Sequence, residues 1–263
     1  MYQWLEAIIL GLIQGLTEFI PISSSGHLVI AQTFLSGAGE HLFLEFINIG
    51  TMLALVVFFR KKIWKIILDV FKNKNYRLAR NIIITALPAG LIGFMLSDFI
   101  GSSWFFASAV VVVFTLAIVG VLMVVLEKLP KLSPVKDGEK LPWQRALIIG
   151  AAQVLALIPG TSRSGSTIIA GRLMGLSAAE AAEYSFLASL PIMFGVTVKV
   201  LLTDTEYLMG NLDILLISNL AAFLSGLWAV GFLLRYLSKH SLAVFGWYRI
   251  VLAVVLATIL LVQ

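Results

Sequence analysis

Glu18, Ser23, Ser24, Ser25 and His27 fall inside "GLTEFIPISSSGHLVIA", residues 15–31, a stretch whose other residues suit hydrocarbon. A carboxylate at membrane depth costs about 2.5–3.5 kcal/mol on insertion scales, so Glu18 is a functional-site candidate; the plainer alternative is a solvated position at the interface. Gln14 lies one helical turn before Glu18 and shares its face, where an amide also serves as glue between helices. Ser24 and His27 are three residues apart, which on a helix places a hydroxyl beside a titratable base, a nucleophile arrangement. The competing reading is helix capping by Ser23 or Ser24 with His27 packed.

A second cluster, "PGTSRSGST" at 159–167, carries Arg163. Pro159 and Gly160 end one helix, and Ser162, Ser164 and Thr167 surround the start of the next. Free backbone N–H groups at a helix N-terminus, hydroxyls and a guanidinium make an anion cradle that phosphate or pyrophosphate fits best. Arg163 paired with Glu18 as a structural lock is the alternative, and an empty site accommodates both.

The elements holding these residues follow from composition. Of 263 residues, 60% are hydrophobic and 13% charged, and the mean hydropathy is +0.99; a soluble core of this size cannot hide so much apolar surface, so an integral membrane protein is expected. Cysteine is absent, which excludes disulfides and thiolate sites. The first residues lack the basic region and cleavage site of a signal peptide and are counted as mature protein. Apolar runs near 42–59, 81–97, 105–126, 184–202, 214–234 and 245–262 approach the roughly 20 residues of a span. Segments 4–19 and 143–158 are shorter, and each meets a polar break and a second short helix (25–36 and 164–175), which predicts re-entrant helix-loop-helix pairs.

Basic residues gather at 60–80 (Arg60, Lys61, Lys62, Lys65, Lys72, Lys74, Arg77, Arg80) and at 127–145 (Lys128, Lys131, Lys136, Lys140, Arg145), so both connections are expected in the cytoplasm. Connections 97–104 and 203–213 carry acids and no Lys or Arg, as outer loops should. The net charge of +5 is then a topology signal, and no nucleic-acid partner is needed to explain it. Glu45 is either a second cavity carboxylate or the outer edge of its span; Arg172 and Lys199 are expected to snorkel, and His41 and His240 to lie in loops. No HExxH, paired His/Cys zinc spacing or Walker loop occurs, which argues against caged zinc and nucleotide-driven motors.

The two interrupted segments are copies. Offset by 139 residues, 4–31 and 143–170 align without a gap and agree at 11 of 28 positions, among them Trp4/Trp143, Gly11/Gly150, Gln14/Gln153, Ser23/Ser162, Ser25/Ser164 and Gly26/Gly165. Three spans follow each copy, and an odd number inverts the second half. The predicted fold is therefore an all-α integral membrane protein with an inverted-topology repeat, six transmembrane helices and two re-entrant pairs. It forms a single membrane domain, 1–263, with halves 1–127 and 143–263 and a cytoplasmic linker at 128–142.

"QGLTEFIPISSSGH" with "PGTSRSGST" closely resembles the bacitracin-resistance type of undecaprenyl pyrophosphate phosphatase, which carries a Glu-or-Gln, three residues, Glu motif and a Pro-Gly-X-Ser-Arg-Ser-X-X-Thr motif. Gln14 with Glu18, and Pro159 through Thr167, match both, and the likeness runs the whole chain to "YRI" at 248–250. The resemblance implies hydrolysis of the polyprenyl pyrophosphate carrier of cell-wall synthesis at the outer face of the bacterial cytoplasmic membrane, bacitracin resistance, and a divalent cation, Mg²⁺ or Ca²⁺. It also leaves room for a homodimer. Gln14, where many members carry Glu, weakens a two-carboxylate cation site, and Asn48 stands where many carry Gln. On this reading Arg163 and the 162–166 backbone, with the hydroxyls of Ser23, Ser25, Ser162, Ser164 and Thr167 and the glycines Gly26 and Gly165, hold the pyrophosphate, while Glu18 and, weakly, Gln14 hold the cation. Ser24 attacks with His27 as base, or His27 attacks directly. A flippase of polyprenyl phosphate is the alternative, since broken inverted repeats are transporter architecture; a phosphatidate-type phosphatase lacks support beyond the echo in "SSSGH".

Overall fold

The computed structural model describes residues 2–35, 41–129 and 138–262, and among them no strand occurs. In chain order the helices are α1 (Tyr2–Phe19), α2 (Ser24–Phe34), α3 (His41–Phe58), α4 (Arg60–Phe71), α5 (Arg77–Met95), α6 (Ser97–Ser102), α7 (Trp104–Ala107), α8 (Ala109–Leu126), α9 (Trp143–Val154), α10 (Arg163–Leu173), α11 (Ala178–Thr203), α12 (Thr205–Gly210), α13 (Leu212–Leu237) and α14 (Ala243–Val262). Helices α5, α8, α11, α13 and α14 are long and apolar enough to cross a membrane, and α3 joins them as a sixth span when taken with α4, which turns away by 70°. The chain is an all-α integral membrane protein.

Several boundaries differ from the sequence expectation for local reasons. The span expected from 105 starts at Ala109, because Ser108 is extended and closes the short α7. The helix expected over 143–158 ends at Val154 and tightens into a 3₁₀ turn at Leu155–Leu157. His41 opens α3 and is not in a loop. Part of the 60–80 connection is α4, an amphipathic helix with no buried residue. Residues 130–137 of the expected linker, with Lys131 and Lys136, lie outside the described residues, as does residue 36 at the end of the expected 25–36 helix.

Without a hydrophobic force between helices in lipid, association relies on close approach over small residues. Helix α1 packs on α13 and α9 packs on α5. At both contacts a glycine of the repeat is what permits the approach: a side chain on Gly11 would strike the Ser218 carbonyl, and one on Gly150 the Thr85 carbonyl. Helices α8 and α14 cross where Gly120 and Gly246 face each other, again too close for a Cβ. Helix α11 enters through a capping box in which Ser177 Oγ accepts from Glu180 N at 3.2 Å and Glu180 accepts from Ser177 N at 3.0 Å. At the centre Phe19 meets Phe186 edge-on with centroids 5.4 Å apart, which fixes the end of α1 against α11.

Arg172 does not snorkel. Its guanidinium turns inward to Glu127 at 3.4 Å and to the Leu176 carbonyl at 3.2 Å, because Glu127 sits at the end of α8 within reach.

Candidate functional site

Two short helices begin with the same device. Ser23 and Ser162 occupy the left-handed region at φ 73° and 72°, where a non-glycine residue is strained. Each accepts from the N–H three residues on, Gly26 at 3.3 Å and Gly165 at 3.1 Å, capping α2 and α10. Each also meets the hydroxyl two residues on, Ser25 at 3.0 Å and Ser164 at 3.1 Å. The strain is tolerated because both turns are held from the other side: Gly160 N donates to Ser25 Oγ at 3.2 Å, and Ser164 Oγ donates to the Glu18 carbonyl at 3.3 Å.

Between these caps, Glu18 at the end of α1 gathers three donors. Arg163 Nη2 reaches Oε1 at 2.6 Å, Ser24 Oγ donates to Oε2 at 2.6 Å, and Gln14 Nε2 donates to Oε2 at 3.1 Å. Gln14 donates its other amide hydrogen to Asn48 Oδ1 at 2.6 Å, and Asn48 is fixed by the Leu44 carbonyl within α3. The Glu18–Arg163 pair is mostly buried, 13% and 19% exposed, so its charges are weakly screened. The pair adjoins a cavity of about 270 Å³ lined by Glu18, Ser23, Ser24, Ser25, Ala156, Ile158, Ser162 and Arg163. The polar wall comes from both re-entrant tips and the apolar wall from the turn after α9.

The expected pairing of Ser24 with His27 is not formed. His27 Nδ1 lies 2.8 Å from the Ser23 carbonyl, which can only accept, so Nδ1 carries the proton. Nε2 then accepts from the Tyr248 hydroxyl at 2.7 Å, and the two rings lie parallel with centroids 5.6 Å apart. Both imidazole nitrogens are thus occupied away from Ser24, whose hydroxyl is committed to Glu18. Four expected phosphate-binding residues also stand apart from the cavity. The N–H groups of Gly26 and Gly165 serve the caps. Ser164 is buried against Glu18, and Thr167 Oγ1 is spent on the Arg163 carbonyl at 2.7 Å and on Ser185. Glu45, in the second turn of α3, does not line the cavity.

Sequence reasoning gave no role to Tyr248, Arg249 or Thr115. The signal was present: Arg249, in the second turn of α14, is a charge inside an apolar run, as anomalous there as Glu18. Arg249 is fully buried.

Residues 7–255 match the family model described as bacitracin resistance protein BacA. Among curated proteins, an undecaprenyl-diphosphatase of Nitrosospira multiformis is 38% identical over 250 residues, covering 94% of this chain and 91% of that protein. Undecaprenyl-diphosphatase 1 of Clostridioides difficile is 39% identical over 269 residues, 95% of this chain and 93% of its own. The undecaprenyl-diphosphatase of Lactococcus lactis subsp. cremoris is 39% identical over 278 residues, with 96% and 95% covered.

Proposed function

The chain belongs to the bacitracin resistance protein BacA family, and from that membership and the site we infer that it is an undecaprenyl-diphosphate phosphatase. The observation that carries the reading is the meeting, at one cavity, of a hydroxyl bound to a carboxylate (Ser24 and Glu18) with a guanidinium from the other re-entrant tip (Arg163).

In the proposed reaction Arg163 exchanges Glu18 for the oxygens of the terminal phosphate, and the hydroxyls of Ser23, Ser25 and Ser162 hold the rest of the pyrophosphate. Ser24 Oγ attacks the terminal phosphorus as its proton passes to Glu18 over the 2.6 Å hydrogen bond. The bridging P–O bond breaks and polyprenyl phosphate leaves, taking up the Glu18 proton. Water then attacks the phosphoserine as Glu18 accepts its proton; the P–Oγ bond breaks, Glu18 returns that proton to Ser24 Oγ over the same hydrogen bond, and orthophosphate leaves.

Among the described residues no cluster of three His, Cys, Asp or Glu side chains could cage a metal. Glu18, which lines the cavity, fits instead a cation held mainly by substrate phosphates, the usual state of Mg²⁺, whereas Gln14 is buried behind it with its amide nitrogen given to Glu18 and Asn48. When bound, the cation neutralises charge on the phosphoryl group. The proposed setting is the bacterial cytoplasmic membrane, with the cavity open to its outer face, halves 1–127 and 143–263 as inverted copies, and recycling of the cell-wall lipid carrier as the role. Purified protein should release one orthophosphate per undecaprenyl pyrophosphate in detergent with Mg²⁺. Movement of the lipid across vesicles without phosphate release would replace this reading with the flippase.

A further inference from the structure

Arg249 of α14 is a buried cation with no carboxylate within 4.0 Å among the described residues. Burying an unpaired guanidinium is costly, so its surroundings must repay it. They do so with backbone carbonyls. Nη2 donates to Gly160 at 2.6 Å and Thr161 at 3.2 Å, Nη1 to Pro21 at 3.3 Å, and the same side chain reaches Leu116 and Thr115 of α8 at 3.5 and 3.4 Å. Pro21 and Gly160 stand at the same place in the two copies, 139 residues apart. One side chain therefore ties the tip that carries Glu18 and Ser24 to the tip that carries Arg163.

Side-chain bonds also join the second tip to the first, from Gly160 N to Ser25 and from Ser164 and Arg163 to Glu18, but Arg249 alone among them holds the peptide carbonyls just before the cap. Gly160 sits at φ 82° against α8, where Thr115 Oγ1 donates to the Pro159 carbonyl at 2.6 Å. Thr161 is followed directly by the strained cap Ser162 and by Arg163. The trans peptide between Thr161 and Ser162 directs its carbonyl at Arg249 and hence its N–H the opposite way. Fixing that carbonyl fixes the orientation of the cap and of the guanidinium that follows.

We propose that Arg249 is a positioning residue for the phosphatase reaction, holding the two re-entrant tips in register through the carbonyls of Pro21, Gly160 and Thr161. Lys in its place keeps the charge but gathers its three donors on one nitrogen, without the planar fork by which Nη1 and Nη2 of Arg249 reach carbonyls of two loops at once.

The inference rests on the phosphatase reading, so wild type is assayed beside Arg249→Lys, with turnover normalised to folded, monodisperse protein. Arg249→Lys should lower kcat about tenfold or more, and binding of the inorganic pyrophosphate anion, read by calorimetry, should weaken less than kcat falls. In an Arg163→Lys background the same substitution should cost less than about threefold, because both act on one tip. A merely structural Arg249 lowers the melting temperature and gives the same fold-loss in both backgrounds, which overturns the proposal, as does kcat within about twofold of wild type. Should Arg249→Lys not fold, Thr115→Val, which frees the Pro159 carbonyl of the same turn, is measured in the same two backgrounds with the same criterion. Wild type without phosphate release defeats the phosphatase reading instead, and the pyrophosphate affinities then decide for Arg249: unchanged affinity in the variant overturns it.

Discussion

Replacing Glu18 by Gln separates two roles that its carboxylate combines. Gln keeps the shape and can still accept from Ser24, but it takes up no proton and leaves Arg163 without its counter-charge. Loss of a positioned base costs about 10²- to 10⁴-fold in kcat, or about 2.7–5.4 kcal/mol at 1.36 kcal/mol per decade. The second effect has the opposite sign. An ion pair held at close contact, as Arg163 and Glu18 are at 2.6 Å, is an attraction of order 6 kcal/mol at an effective dielectric of about 20, and part of it must be surrendered before Arg163 can turn to a phosphate. Glu18→Gln removes that competition, so KM should fall while kcat falls further. The assay is phosphate release from undecaprenyl pyrophosphate at saturating Mg²⁺ over a substrate range wide enough to resolve both constants. Turnover within about threefold of wild type, or a KM that rises in step with the loss of kcat, refutes the assignment of Glu18 as base and as the partner that substrate displaces.

His27→Gln should retain kcat within about tenfold, because the imidazole orients α2 through Ser23 and Tyr248 and is not bonded to Ser24; a loss of the size expected for Glu18→Gln, measured in the same assay, would return the base role to His27. Cysteines placed singly at Ser102 and Lys72 should react with an impermeant thiol reagent from opposite sides of sealed vesicles, since one lies in an acidic connection and the other in a basic one. Labelling of both from one side would contradict the inverted arrangement.

The fold was legible because lipid makes sequence blunt: a span needs an unbroken apolar run, and an interruption by serines must be buried in protein. The alignment of Ser23 with Ser162 and of Gly11 with Gly150 already contained the paired caps and paired glycine contacts found in three dimensions. Glu18, Ser24 and Arg163 were legible for the same reason, as polar groups with nowhere else to go. Partnership was not legible. Three-residue spacing put Ser24 beside His27, but spacing on one helix says nothing of a carboxylate arriving from the helix before, and Glu18 takes the hydroxyl. Thr167 belonged to the motif yet faces Ser185, since the periodicity of α10 turns it from the cavity. Arg249 stood out as a charge in an apolar run, but its partners did not, because they are carbonyls and backbone atoms leave no trace in sequence.

The central claim is that Ser24, activated by Glu18 where the two tips meet, takes the phosphoryl group. Rapid quenching of turnover with substrate labelled in its terminal phosphate tests it most directly. The account predicts acid-stable phosphoserine in the peptide containing Ser24, at a level that decays as orthophosphate appears, and no label in Ser24→Ala. Acid-labile phosphohistidine at His27, or full turnover by Ser24→Ala with no labelled protein, would contradict it.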